Sequence, residues 1–278
     1  MVLKADRKEQ HHSQFLLFLF KFFFIFVLGT IPFLSGCVTT VEGPFTLKVN
    51  TPLAEKKYVE LGLAYLQRGQ YENARKYLQR ALKINSDSDS AYAAMGLLYQ
   101  QQGEYKLAEQ QFLKALDINN DYTRGRAWYA AFLYSQGRYK EAMEQFQIAS
   151  KDTSYDSRSQ IFINIGHTAE RLKQYKLAKG SYLKVIAMNP GSLKPLVDII
   201  DLSVRLNDFL SARRYYSHLQ EMVRNRVVKQ TQKTLELGFL IAHHFKNKDE
   251  ESSFLLLLKN LYPESDNYHK YKAMLGNE

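Results

Sequence analysis

Residues 65–82 read YLQRGQYENARKYLQRAL, and the same grammar returns at 99–116 as YQQQGEYKLAEQQFLKAL. In each stretch an aromatic (Tyr71, Tyr105) stands three residues before an alanine (Ala74, Ala108), and a large apolar residue (Leu78, Phe112) stands four after it. The pattern continues through Ala142, Ala178 and Ala212, so that successive alanines are 34, 34, 36 and 34 residues apart. Tyr139, Tyr175 and Phe209 precede these alanines; Phe146, Tyr182 and Tyr216 follow them. Residues three and four apart lie on one helix face. Each block is therefore an amphipathic helix with a small-residue notch in its buried stripe. Two helices need such a notch where their axes approach most closely, because a larger side chain would push them apart.

A matching notch precedes each block. Gly62, Gly96, Ala130 and Gly166 share one register, preceded by Leu61, Met95, Tyr129 and Ile165 and followed three positions later by Tyr65, Tyr99, Leu133 and Ala169. Between the two helices stand Gly69, Gly103 and Gly137, residues that end a helix without steric cost; Lys173 and Asn207 replace them in the fourth and fifth blocks, where the turn is expected to be less ideal. A period of about 34 residues built from helix–turn–helix units is the signature of a tetratricopeptide array. The predicted fold is all-α: a right-handed solenoid of about six helix pairs. The units fall at 55–88, 89–122, 123–156, 159–192 and 193–226, with a degenerate sixth at 227–262 and a polar cap or tail at 263–278. The two extra residues of the third spacing fall near Tyr155–Ser157, and the aromatics are assigned to the core.

The first 36 residues do not share this pattern. A basic start (Lys4, Arg7, Lys8) leads into an apolar run from Phe15 to Leu34, interrupted by Lys21, which closes on Leu34-Ser35-Gly36-Cys37. A basic start, an apolar middle and small residues before a cut make a secretory signal. The run from Phe22 to Leu34 suits a signal core and is short for a membrane span, which needs about 20 apolar residues. Cysteine directly after Leu-Ser-Gly has the form of a bacterial lipobox, in which Cys37 is lipidated and the signal, 1–36, is removed. Cys37 is the only cysteine in the chain, so no intramolecular disulfide competes for its thiol. Val38 stands where an aspartate would mark retention in the inner membrane, which directs the expectation to the outer membrane, facing the periplasm. Residues 37–54, with two prolines and no helical period, read as the lipidated cysteine and an extended tether, whose reach at ~3.3 Å per residue is on the order of 50 Å.

The formal charge is +10. The signal carries four cations against Asp6 and Glu9, so about +8 falls on the remainder, mostly interspersed with acidic residues. Denser clusters occur at Arg205, Arg213 and Arg214, and at Arg224 and Arg226 with Lys229 and Lys233. A secreted lipoprotein meets no nucleic acid, so the available anions are acidic protein segments, lipid headgroups and peptidoglycan carboxylates. No catalytic constellation is visible. His243 and His244 are adjacent and point about 100° apart on a helix, so they cannot chelate one ion as a pair one turn apart would. His167, His218 and His269 stand alone, and no glycine-rich phosphate loop follows a strand pattern. No metal, cofactor, small-molecule substrate or enzymatic activity is expected.

The first helix of each unit lines the concave groove of such an array, and residues one turn from the notch face into it. These are Val59, Leu63, Leu66 and Gln67 in the first unit, Ala93, Leu97, Gln100 and Gln101 in the second, Ala127, Ala131, Tyr134 and Ser135 in the third, and Ile163, His167, Glu170 and Arg171 in the fourth. Val59, Leu63, Leu66, Leu97 and Tyr134 make the early groove apolar, a surface suited to an amphipathic helix or short apolar peptide. Grooves that grip a C-terminal carboxylate need asparagine one residue after the notch, where this chain has Leu63 and Leu97.

A lipobox, a tether, about six tetratricopeptide units and a short tail after Pro263 together resemble the type IV pilus biogenesis/stability lipoprotein family (PilW/PilF, the pilus pilotins). The resemblance runs from Cys37 to about Pro263, through Tyr65-Leu-Gln-Arg-Gly-Gln-Tyr-Glu-Asn-Ala74, Ala130-Ala-Phe-Leu-Tyr-Ser-Gln-Gly-Arg-Tyr139 and the segment from Asn247 to Pro263. It implies an outer-membrane lipoprotein that binds a segment of the secretin, the pore of the pilus, and promotes its localisation and multimerisation, with Val59, Leu63, Leu66 and Leu97 as contacts. The competing reading is a repeat lipoprotein that docks peptidoglycan hydrolases or outer-membrane assembly factors. If Cys37 is lipidated, globomycin, which blocks the lipoprotein signal peptidase, leaves a full-length precursor; mature protein accumulating unchanged under the drug overturns the lipobox.

Overall fold

The computed structural model describes residues 51–276. The signal, the lipobox Leu34-Ser35-Gly36, Cys37 and the tether as far as Asn50 lie outside the described residues. Thirteen helices follow, as six antiparallel pairs and a terminal helix. The pairs are α1 (Thr51–Gln67) with α2 (Tyr71–Ile84), α3 (Asp89–Gln101) with α4 (Tyr105–Ile118), α5 (Thr123–Ser135) with α6 (Tyr139–Ala149), α7 (Arg158–Arg171) with α8 (Tyr175–Met188), α9 (Leu193–Arg205) with α10 (Phe209–Arg224), and α11 (Gln232–His244) with α12 (Lys248–Leu261). The last helix is α13 (Asp266–Gly276).

The two notches of each unit face large side chains across the pair. A Cβ added at Gly62 would lie 2.6 Å from Leu78, and one at Gly96 2.8 Å from the Phe112 ring; at Gly166 it would collide with Tyr182. Each large residue sits sixteen positions after its glycine. Ala74, Ala108, Ala142, Ala178 and Ala212 are completely buried, as are Leu78, Phe112 and Tyr182. The alanine stripe and the large residues four after it are thus core, in two apolar clusters that meet at the half-buried Leu97 and Tyr99, whereas of the aromatics three before the alanines Tyr71, Tyr139, Tyr175 and Phe209 are only half-buried and Tyr105 is 49% exposed.

The turns repeat with equal fidelity. In all six pairs the amide three residues past the helix end closes on a carbonyl five residues back: Gln70 on Tyr65 at 3.0 Å, Glu104 on Tyr99 at 2.9 Å, Arg138 on Leu133 at 3.0 Å, Gln174 on Ala169 at 2.7 Å, Asp208 on Ser203 at 2.8 Å and Asn247 on Ala242 at 3.0 Å. This closure requires a left-handed residue just before the bonding amide. Gly69, Gly103 and Gly137 supply it at φ of 69°, 79° and 76°. Lys173, Asn207 and Lys246 adopt the same conformation at 59°, 57° and 55°, so the glycine-free turns keep the geometry and carry its steric cost. At the other junctions, Asn85, Asn119 and Asn189 cap the second helices and accept through Oδ1 from the amide two residues on.

Two boundaries differ from the sequence reading. The first helix begins at Thr51, so the expected tether of 37–54 loses its last four residues. Pro52, one of the two prolines of the expected tether, lies in the first turn of α1, where proline is favoured because its fixed φ suits the helix and its missing N–H has no partner there. The sixth pair follows a longer connection, Asn225 to Thr231, with Arg226 left-handed at φ 57°. Counting from its turn residue, Lys246, the position of the notch alanine is held by Glu251, completely buried, with His243 Nδ1 at 3.4 Å and Lys248 Nζ at 3.5 Å from its carboxylate oxygens. Gly238 supplies the relief instead, beneath the Phe254 ring and the Tyr216 hydroxyl. The polar tail forms α13, which closes the column by burying Tyr268 and Tyr271; the Tyr271 ring stacks on Phe239 at 4.5 Å between centroids.

The contrast between two helical glycines tests this packing. Gly96→Ala overpacks the Phe112 contact and costs about 1–3 kcal/mol, whereas Gly180→Ala, whose Cβ meets nothing within 4 Å, gains up to about 1 kcal/mol of helix propensity. Thermal or urea unfolding of the two variants should move in opposite directions.

Candidate partner-binding groove

The first helices of neighbouring units touch in succession, α1 with α3, α3 with α5, α5 with α7, and α9 with α11, while the second helices spread apart on the outside. The inner face of the curved stack is therefore built from first helices. Its surface is set by the register one position past the notch: Leu63, Leu97, Ala131, His167 and Asp201. Leu63 and Leu97 are half-buried there, Ala131 is exposed, and Tyr134 is half-buried one turn further on. The apolar strip of the early groove thus rests on Leu63, Leu97 and Tyr134.

Val59 and Leu66 do not belong to that strip. They are 6% and 9% exposed and sit in the core cluster with Leu78, Met95 and Leu98. They flank Gly62 at three before and four after, so the face that meets α2 and α3 takes them in; a branched aliphatic side chain is too short to reach back out. Tyr134, at the register of Leu66, is long enough to extend to the surface. A cleft of about 560 Å³ opens beside Leu63 between the first half of α1, Ser90 and the start of α5, with Val59 in its wall.

Beyond Tyr134 the inner face changes character. Asp198 accepts from His167 Nε2 and from Lys194 Nζ, each at 3.0 Å. Asp201 accepts from Arg205 Nε at 2.8 Å and faces Lys233 Nζ at 2.6 Å. Glu170 accepts from the Tyr182 hydroxyl at 2.5 Å and from Arg205. Arg171 donates to the Tyr139 hydroxyl and lies 4.9 Å above its ring. The carboxylates lie beneath and the cations above: the side chains of Glu170, Asp198 and Asp201 are 17%, 20% and 24% exposed, against 50%, 61% and 53% for Arg205, Lys194 and Lys233. Burial pushes the Asp198 carboxyl up, but the hydrogen bonds from His167 and Lys194 outweigh it and hold it below the usual range. Burial, reinforced by Glu170, raises the Tyr182 hydroxyl well above its ordinary value. The sequence reading placed His167, Glu170 and Arg171 on this face but not Asp198 and Asp201. Both occupy inner-face registers of α9, so the repeat period carries their signal one unit further along the chain.

Among the described residues no cluster of three or more His, Cys, Asp or Glu could hold a metal ion, and no helix is long and apolar enough to cross a membrane. The geometry is that of a binding surface, an apolar strip continued by an ion lattice.

Comparison with known proteins agrees with this architecture. Models described as TPR repeat and tetratricopeptide repeat match residues 62–103, 99–158 and 159–192. The type IV pilus assembly protein PilF of Pseudomonas aeruginosa is 34% identical over 241 residues, covering 86% of this chain and 94% of that protein. A solved structure of Pseudomonas aeruginosa PilF superposes with a TM-score of 0.69, covering 81% of this chain and 99% of the other. PilW, described as a widely conserved type IV pilus biogenesis factor, shares the fold at 21% identity and a TM-score of 0.65, over 78% of this chain and 97% of its own. The chain belongs to the family of the type IV pilus assembly protein PilF, built on tetratricopeptide repeats.

The lattice makes the later units acid-sensitive. A carboxylate whose folded pKa is depressed adds stability that is complete above its unfolded value of about 3.9 and is lost as pH falls through the lower folded value. Asp198→Asn should therefore lower the urea midpoint at pH 7, and the difference from wild type should shrink as the pH falls below about 4.

Proposed function

We propose that this chain is an outer-membrane lipoprotein, anchored through acyl groups on Cys37 and facing the periplasm, that binds a segment of the type IV pilus secretin in its inner groove and promotes localisation and multimerisation of that pore. The observation that carries the reading is the row of half-buried apolar side chains, Leu63, Leu97 and Tyr134, on the inner face of a PilF-family array. These residues keep apolar surface in contact with water, which costs about 25 cal/mol per Å² until a partner covers it. A tetratricopeptide scaffold offers such surfaces for protein recognition, and a non-catalytic role follows. The lipobox supplies the address: lipid chains hold the array at the membrane in which the pore must assemble, and more than one chain makes the anchor stable.

In a strain lacking the gene, heat-stable secretin multimers should disappear from outer-membrane fractions and return with the wild-type gene but not with Cys37→Ala. Leu63→Glu combined with Leu97→Glu should fail to restore them while leaving helicity intact. Normal multimers in the deletion strain overturn the proposal.

A further inference from the structure

Where α5 meets α7 on the inner face, a hollow of about 70 Å³ opens between Ala131, Tyr134, Asn164 and His167, with the buried Phe146 ring behind it. One water takes ~30 Å³ in the liquid, so the hollow has room for a small aliphatic side chain. Its polar groups are only half used. Asn164 Oδ1 accepts from Gln160 at 3.1 Å, and its two amide protons have no acceptor among the described residues. His167 is tied to Asp198 through Nε2, and Nδ1 has no partner there. An amide donor and a ring nitrogen beside a methyl-sized hole are what an extended backbone satisfies. A helical ligand has already used its backbone groups and presents none. The hollow also stands at the chemical boundary of the groove, with Leu97 and Leu63 on one side and the exposed Lys194 and Arg171 on the other.

We infer that this hollow is the anchoring subsite of the groove, and that its ligand is an extended polypeptide segment. One alanine- or valine-sized side chain seats between Ala131 and Tyr134, Asn164 and His167 hold the adjoining backbone, apolar residues run toward Leu97 and Leu63, and an acidic residue runs toward Lys194 and Arg171. The inference rests on the groove reading above and adds to it the conformation, the order of residue types and the register of the ligand. Charge complementarity sets the direction: on this stretch the cations stand proud of the carboxylates they pair with.

The test uses the full chain purified from membranes in detergent and an array of overlapping synthetic peptides covering the secretin of the same organism. Bound peptides should share a small aliphatic residue with an acidic residue on one side and apolar residues on the other. Ala131→Leu, which fills the hollow from an exposed helical position, should weaken binding at least tenfold with helicity and Tm unchanged. Asn164→Ala should weaken it several-fold, and Lys194→Glu should weaken binding of a peptide more than binding of the same peptide with its acidic residue replaced by the neutral amide. Wild-type binding by Ala131→Leu and Asn164→Ala, with binding lost in Leu63→Glu, overturns the subsite and leaves the groove reading standing. Bound peptides that share no such order of residues also overturn it. If no peptide binds and Leu63→Glu restores secretin multimers as well as wild type does, the groove reading falls with it.

Discussion

The fold depends on one contact repeated along the chain: a helix position with no side chain, or only a methyl, set against a large apolar side chain of the paired helix. Gly62 against Leu78, Gly96 against Phe112 and Gly166 against Tyr182 are the same contact in three units. It fixes how closely the two helices of a unit approach, and the left-handed turn residue fixes how they are joined. A pair of helices alone leaves one apolar face open, and only the next unit covers it, so stability grows by stacking. The last described helix, α13, covers the face of the sixth pair with Tyr268 and Tyr271.

The same constraint frees the inner face. The notch and the turn are committed to packing, whereas the register one past the notch is at most half-buried, with Leu63 and Leu97 resting on the core by one side only. That register runs from Leu63 and Leu97 through Ala131 to His167 and Asp201, from apolar to small to ionisable, while the buried notch register beside it stays small or apolar at Gly62, Gly96, Ala130, Gly166 and Ile200. Packing does not ask for such a gradient. It also has a cost in design, since the carboxylates of the later units are mostly shielded from water and stand only because each has at least two donors or cations around it.

The periodic residues were legible in the sequence because one physical demand recurs at one spacing. The five alanines, the aromatics three before them and the turn glycines therefore located ten helices directly. What escaped did so for identifiable reasons. Pro52 is a breaker inside a helix and a favoured residue in its first turn, and composition does not distinguish the two. Val59 and Leu66 are apolar and one turn from the notch, as groove residues would be, but side-chain length decided that they fold inward while Tyr134 reaches out. The sixth unit was blurred because Glu251 stands where alanine is expected and Gly238 relieves the contact from another position. The ion lattice joins residues 31 and 35 positions apart (His167 with Asp198, Glu170 with Arg205), a distance close to the repeat period itself, so it becomes visible only once neighbouring units are stacked.

Tyr182 joins the two systems. It fills the place of Leu78 and Phe112, and its ring requires the glycine at 166, so it is core by position and burial. Its hydroxyl nevertheless passes through to the inner face and donates to Glu170, which also accepts from Arg205 of the next unit. His167, in the wall of the hollow between α5 and α7, meets the same ring edge-on at 5.8 Å between centroids. A leucine or phenylalanine would fill the column equally well but would leave Glu170 with a single charged partner and no link to the packing behind it. At the fourth unit, therefore, the surface chemistry of the groove is held in place by the notch contact that holds the helices together. The position of His167 is set from both sides, by Asp198 along the surface and by Tyr182 from within.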